Sequence, residues 1–199
     1  MFITACGMVC PIGLTPASAC AARRAGISGL KELRIKYRDQ PIIGAYVPGL
    51  EPTLFGSARI LELLVRSLSG VIQTASNDSW TKVPLLVALG EPHRPGGSGN
   101  IEDSVILQIQ ARLGVHFHPT FSTVFSLGHT AGFHALRSAR ELLKSGIHAC
   151  VVVAADSLLS SHTLSWLDSQ FRLKTEANPD GIIPGEAAAA VIVQKNQKM

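Results

Sequence analysis

The residues Ser122-Thr123-Val124-Phe125-Ser126-Leu127-Gly128-His129-Thr130-Ala131-Gly132-Phe133-His134-Ala135-Leu136 decide how this chain is read. Thr123 to Ser126 is a β-branched and aromatic run that stops at Leu127-Gly128. Small residues follow at Thr130, Ala131 and Gly132, and a helical pattern continues to Lys144-Ser145-Gly146. A second apolar run, Val151-Val152-Val153, ends in Ala154-Ala155-Asp156-Ser157. The whole reads as strand, tight turn, helix, strand. A helix N-terminus concentrates free N–H groups and positive potential, so the corner where strand meets helix suits a nucleophile or an anion-stabilising donor. The residue at that corner is His129.

On the N-terminal side, Phe2 to Val9 reads as a first strand turning at Cys10-Pro11-Ile12-Gly13. Thr15 is placed to cap a helix with Pro16 at its first position, running through Arg24 to a stop at Gly26. Residues 28–46 read as irregular, with strand-like pieces at 33–35 and 42–46. Apolar residues at Ile60, Leu61, Leu64, Leu68, Val71 and Ile72 recur at helical spacing within 54–74. Residues 82–89 form a short buried-type strand, 91–99 a solvated connector without the Lys and Ser/Thr of a P-loop, and 101–113 a helix. Beyond the central unit come a helix at 160–171, a polar loop at 172–181, and a glycine-kinked strand region at 183–193. Alternating strands and helices with fully apolar strands predict one α/β domain over residues 1–199. Its order is βαβαβαββ, with a mostly parallel sheet covered by helices on both faces.

Composition narrows the function. The chain has 199 residues, 46% hydrophobic and 16% charged, with a net charge of +4. So apolar a surface implies that part of it is covered by a partner. The basic residues are scattered and lack interleaved aromatics, which argues against nucleic acid. Cys6, Cys10, Cys20 and Cys150 show no CxxC spacing, and the seven histidines form no HExxH or Cys/His set. No metal or cofactor is expected, and the thiols read as free in a reducing, cytoplasmic setting. Met1 to Ala22 lacks a basic n-region and is broken by Gly7, Pro11, Gly13 and Pro16, so it does not read as a signal peptide. No run approaches the length of a membrane span.

Four stretches, in order, resemble the thiolase-like β-ketoacyl synthases. Ile3-Thr-Ala-Cys-Gly-Met-Val-Cys-Pro-Ile-Gly13, with the helix ending Ala22-Arg-Arg-Ala-Gly-Ile-Ser-Gly29, is similar to that family's opening. Gly128 to Leu136 is similar to its nucleophile turn, and Val153 to Ser157 to the strand that follows. Asp180-Gly-Ile-Ile-Pro-Gly-Glu-Ala-Ala188 is similar to the stretch that closes the first half of the fold. The resemblance implies a ketosynthase N-terminal half with the catalytic cysteine replaced by His129, since Gly132 and His134 align with the family's downstream glycine and histidine. Cys150 falls in the next strand. The family's second half supplies the histidines that activate the nucleophile, and the chain is read as ending at Met199 before that half.

No catalytic residue is therefore expected. His129 occupies the nucleophile-equivalent position, with His134 as a weaker candidate, because imidazole replaces a thiolate poorly in thioester chemistry. Ser126 and Thr130 sit in no GxSxG elbow and read as capping and turn residues. Asp156 reads as a loop-orienting carboxylate, and Gly185-Glu186 as a turn glycine plus a carboxylate that anchors N–H groups. In the complete fold the helix after the nucleophile lies in a central layer. By that resemblance Ala131, Gly132, Ala135, Ser138 and Ala139 are expected at an assembly interface. Two functions follow. The first is a non-catalytic adaptor or scaffold acting as a homodimer or heterodimer with another thiolase-like chain. Similar short proteins occur beside type VI secretion effectors, so a secreted effector is a further expected partner. The alternative is an acyltransferase active only with a partner that completes the site.

Overall fold

The computed structural model describes residues 1–37, 40–74 and 79–195. In chain order the elements are β1 (Phe2–Val9), α1 (Pro16–Arg24), β2 (Lys31–Tyr37), β3 (Gln40–Gly44), α2 (Gly56–Thr74), β4 (Leu85–Leu89), α3 (Val105–Leu113), β5 (Thr123–Ser126), α4 (Ala131–Lys144), β6 (Ala149–Ser157), α5 (Ser161–Ser169) and β7 (Glu186–Gln194). The main sheet has the order β1-β7-β6-β4-β5. β4 pairs in parallel with both β5 and β6, whereas β7 is antiparallel to β6 and to β1. Four strands therefore point one way and β7 runs against them. β7 follows a long loop and needs no helical crossover to pair beside β6.

Local chemistry accounts for the elements. Thr15 caps α1 through a reciprocal pair with Ser18, with Pro16 following at the first helical position. Within residues 28–46, the strand-like pieces expected at 33–35 and 42–46 overlap the two strands of the β2–β3 hairpin, a separate two-stranded sheet. Leu33 and Ile42 of that hairpin pack with Leu159, Leu164, Leu167 and Leu173 in a small satellite core.

The sheet is buried on both sides where its strands are parallel. Leu85, Val87, Leu89, Val151 and Val153 face one core, and Leu86, Ala88, Cys150 and Val152 face the other. On the first face α2 crosses β1, β7 and β6 and packs on α3. A Cβ at Gly7 would run into the Ser67 carbonyl oxygen, so the absence of a side chain there lets α2 rest on the β1 backbone. On the second face α4 covers β4, β5 and β6. Its Ala131, Ala135, Ala139 and Leu143 fall every four residues and are fully buried. Burial pushes the Cys150 thiol up to about 11.

α4 does not extend over the outer two strands. Cross-strand pairing puts Ile3, Cys6 and Met8 of β1 on the same face as Val191 and Ala189 of β7, and Ala187 continues that row. Ile3 is 64% exposed; Cys6, Ala187 and Ala189 are also exposed, and Met8 and Val191 are half-buried. An apolar strip of sheet beside α4 is thus open to solvent.

One buried ion pair ties these layers together. The Glu186 carboxylate, at the start of β7, receives Arg59 from α2 through Nε (2.5 Å) and Nη2 (2.6 Å). It also accepts the Val47 N–H at 2.8 Å and the Ser157 hydroxyl at 2.9 Å. Its side chain is fully buried. Breaking such a pair strands a buried charge, so Arg59→Ala or Glu186→Ala is expected to destabilise the fold by about 3–5 kcal/mol. The double variant should lose clearly less than the sum of the two in denaturant unfolding. Cys6 and Cys20 are exposed, and a thiol reagent is expected to label them in the native protein while reaching Cys150 only on unfolding.

Candidate functional site

The parallel strands β4, β5 and β6 end together at Leu89, Ser126 and Ser157. Crevices at the carboxyl ends of such strands are where open α/β sheets place their sites. Here the chain enters α4 through a single 3-10 turn at Gly128–Thr130. Thr130 fixes that turn, its hydroxyl donating to the Leu127 carbonyl at 2.9 Å. The His129 side chain is exposed and has no hydrogen-bond or ionic partner among the described residues. His134 is also exposed. His129 lies in the turn before α4 and His134 in the first turn of the helix, five positions further on. The Ser126 hydroxyl is buried without a partner among the described residues, and no base lies against it.

The charged groups of the crevice come from elsewhere. Gly128 has φ +60°, and its missing Cβ would collide with the Glu91 carboxylate, which lies directly over the turn. Glu91 accepts from Arg94 at 3.3 Å. Arg94, with a side chain only 6% exposed, reaches across to Asp156 through Nη1 (2.8 Å) and Nη2, and touches the Ser157 carbonyl. Its hydrogen bonds to Asp156 raise the guanidinium pKa against the opposing effect of burial. Asp156 also accepts the Ser157 N–H at 2.7 Å, so it orients the strand end as the sequence suggests.

The 91–99 segment is the loop expected from sequence, exposed at Glu91, Pro92, His93, Pro95 and Gly99, but it is anchored to the domain rather than free. Arg94 is sunk into the protein, the Pro95 carbonyl accepts from Thr163, and the Gly96 carbonyl accepts from Ser160. Arg94 links the segment to the end of β6 through Asp156 as well as to its own Glu91. Sequence reading passed over Glu91, Arg94 and Arg59. The available signal was a charged pair three residues apart directly after a buried strand ending in Gly90.

A second correction concerns the small-residue stripe. Ala131, Ala135 and Ala139 lie under α4 against the chain's own sheet, at 1%, 0% and 0% exposure, and are closed to any partner. Their small size serves close helix–sheet packing. Gly132 and Ser138 are half-buried at its flanks. No group of three His, Cys, Asp or Glu suited to a metal occurs among the described residues, and none of their helices is long and apolar enough to cross a membrane.

As a site, the crevice holds a turn in place: both nearby carboxylates engage Arg94, and His129 makes no hydrogen bond or ion pair among the described residues. If Glu91 packs on Gly128 as described, Gly128→Ala should cost more than the roughly 1–2 kcal/mol of a left-handed alanine. The excess should disappear in a Glu91→Ala background, as read from thermal or denaturant unfolding.

No family model and no curated protein matches the sequence. Solved structures do match. A ketosynthase from module 6 of the bacillaene synthase of Bacillus subtilis 168 superposes with a TM-score of 0.71 at 12% identity, over 97% of this chain and 39% of that one. A type II polyketide ketosynthase, solved with its acyl-carrier protein, gives a TM-score of 0.72 at 17% identity, over 98% and 58%. The ketosynthase ApeO of Xenorhabdus doucetiae, solved with its chain length factor ApeC, gives 0.62 at 13%, over 99% and 58%. The chain spans about two-fifths to three-fifths of these structures. With the sheet order, the turn into α4 and these superpositions together, the chain carries the thiolase-like fold of the ketosynthases.

Proposed function

We propose that this chain is a non-catalytic thiolase-like subunit, an adaptor or scaffold that works by docking against a second thiolase-like unit. The observation that carries this reading is the bare strip of β1 and β7 beside α4. Exposed apolar surface of this kind is unfavourable by about 25 cal/mol per Å², and its removal from water drives association. The solved ketosynthase with its chain length factor supports pairing as a mode open to this fold.

The crevice supports the non-catalytic half of the proposal. His129 stands where the resemblance puts the family's nucleophile, exposed and unoriented, while Glu91 and Asp156 are held by Arg94. Catalysis by acyl transfer needs a nucleophile within reach of a base and donors preorganised around the developing oxyanion. The cellular setting we assign is cytoplasmic loading of a secreted effector in type VI secretion, on the strength of the sequence resemblance.

Incubation with acyl-CoA and acyl-carrier thioesters, alone and with co-expressed partner candidates, tests the reading by intact-protein mass and thiol release. We expect no covalent acyl adduct and the same background hydrolysis in wild type and His129→Ala. A mass increase, or thioester turnover that His129→Ala abolishes, would replace the adaptor by an acyltransferase that needs its partner.

A further inference from the structure

A cavity of about 840 Å³ opens at the amino ends of the parallel strands, the end of the sheet opposite the crevice. Lys82 precedes β4, His118 precedes β5 and His148 precedes β6, and all three line it. Lys82 and His148 are exposed, and neither side chain has a hydrogen-bond or ionic partner among the described residues. The described lining carries no carboxylate, while Thr4, Thr81 and Trp80 add hydroxyls and an indole. His118 is fixed in place. Its N–H donates to the Val83 carbonyl at 3.0 Å, and its carbonyl accepts the Ser122 hydroxyl at 2.7 Å. Its Nδ1 accepts the N–H groups of Thr120 (3.2 Å) and Phe121 (3.3 Å), and its ring stacks on Phe121 at 4.5 Å. With Nδ1 used as an acceptor, the imidazole proton sits on Nε2, a donor without a partner among the described residues.

A second cavity, of about 450 Å³, adjoins the first: Thr81 and His118 line both. The rest of its wall is largely apolar, with Ile106 and Leu107 of α3 facing Phe117 and Pro119, and Leu107 is 67% exposed. Phe117 meets the Trp80 ring edge-on at 5.8 Å, which joins the two walls. A basic basin and an apolar one therefore meet at His118. From this juxtaposition we infer a binding site for a single-chain amphiphile with a phosphate head. The head lies among Lys82, His118 and His148. Donors from three separate loops suit an anion whose oxygens point in several directions, and a lysine ammonium serves phosphate as a point charge. The tail lies against Ile106, Leu107, Phe117 and Pro119, where burial removes it from water. Both volumes fall within the usual range of small-molecule sites. The site touches neither the turn at His129 nor the open strip, so it stands independently of the docking reading.

Titration calorimetry on the full chain tests it with four probes: octyl phosphate below its micelle concentration, inorganic phosphate, octyl glucoside and AMP. Octyl phosphate is expected to bind at 1:1, at least about tenfold tighter than any of the other three. Lys82→Gln/His148→Gln should weaken it about tenfold, to the level of octyl glucoside, and Leu107→Glu should weaken it to the level of inorganic phosphate. These three positions are exposed, and matching circular dichroism melts verify the fold of each variant. The tryptophans are Trp80 and Trp166, so in a Trp166→Phe background the emission reports on Trp80 and should shift on saturation with octyl phosphate. Any of four results overturns the inference. Octyl phosphate binds no tighter than inorganic phosphate; octyl glucoside binds equally well; Lys82→Gln/His148→Gln leaves the affinity unchanged; or AMP binds more tightly, which assigns the basin to a nucleotide.

Discussion

The fold depends on where one carboxylate goes. Glu186 opens β7, which runs against the other described strands of the main sheet, and its buried side chain must find cations and donors or destabilise everything near it. Arg59 from α2 supplies a two-pronged partner, the Val47 N–H comes from the segment after the hairpin, and the Ser157 hydroxyl comes from the end of β6. Four parts of the chain, distant in sequence, are thereby fixed at one point. The close contact of α2 with β1 at Gly7 sets the other end of the same helix.

Ser157 joins this tie to the crevice. Its hydroxyl donates to Glu186, and its backbone carbonyl accepts from Arg94, which holds Glu91 and Asp156. The turn that leads into α4 therefore rests on a network of committed charges. In the crevice these charges are committed to the protein's own loops, while the open strip of β1 and β7 and the basic stripe of α4 (Arg137, Arg140 and Lys144) face outward.

Much of the architecture was legible because it is local. Apolar runs with helical or strand period, Thr15-Pro16 before α1 and the break at Leu127-Gly128 each report on their own neighbourhood. The carboxylate of Gly185-Glu186 could be read as an anchor of N–H groups, but its arginine could not be named. Arg59 reads only as the polar residue before an apolar stripe. Ala131, Ala135 and Ala139 were misplaced at an interface for a related reason: small residues permit close approach by a helix or a sheet alike, and residue type does not say which one comes.

The sequence by itself determined where most strands and helices lie and the residue at the turn, since propensity and periodicity act over a few residues, although the order βαβαβαββ is shorter than the seven strands and five α-helices among the described residues. Only the tertiary structure decided which face of α4 is buried, that β1 and β7 are left uncovered, and which arginine answers which carboxylate. Those partners lie 127 residues apart for Arg59 and Glu186 and 62 apart for Arg94 and Asp156. Charge pairing and burial depend on what the folded chain brings together, and no local pattern encodes that.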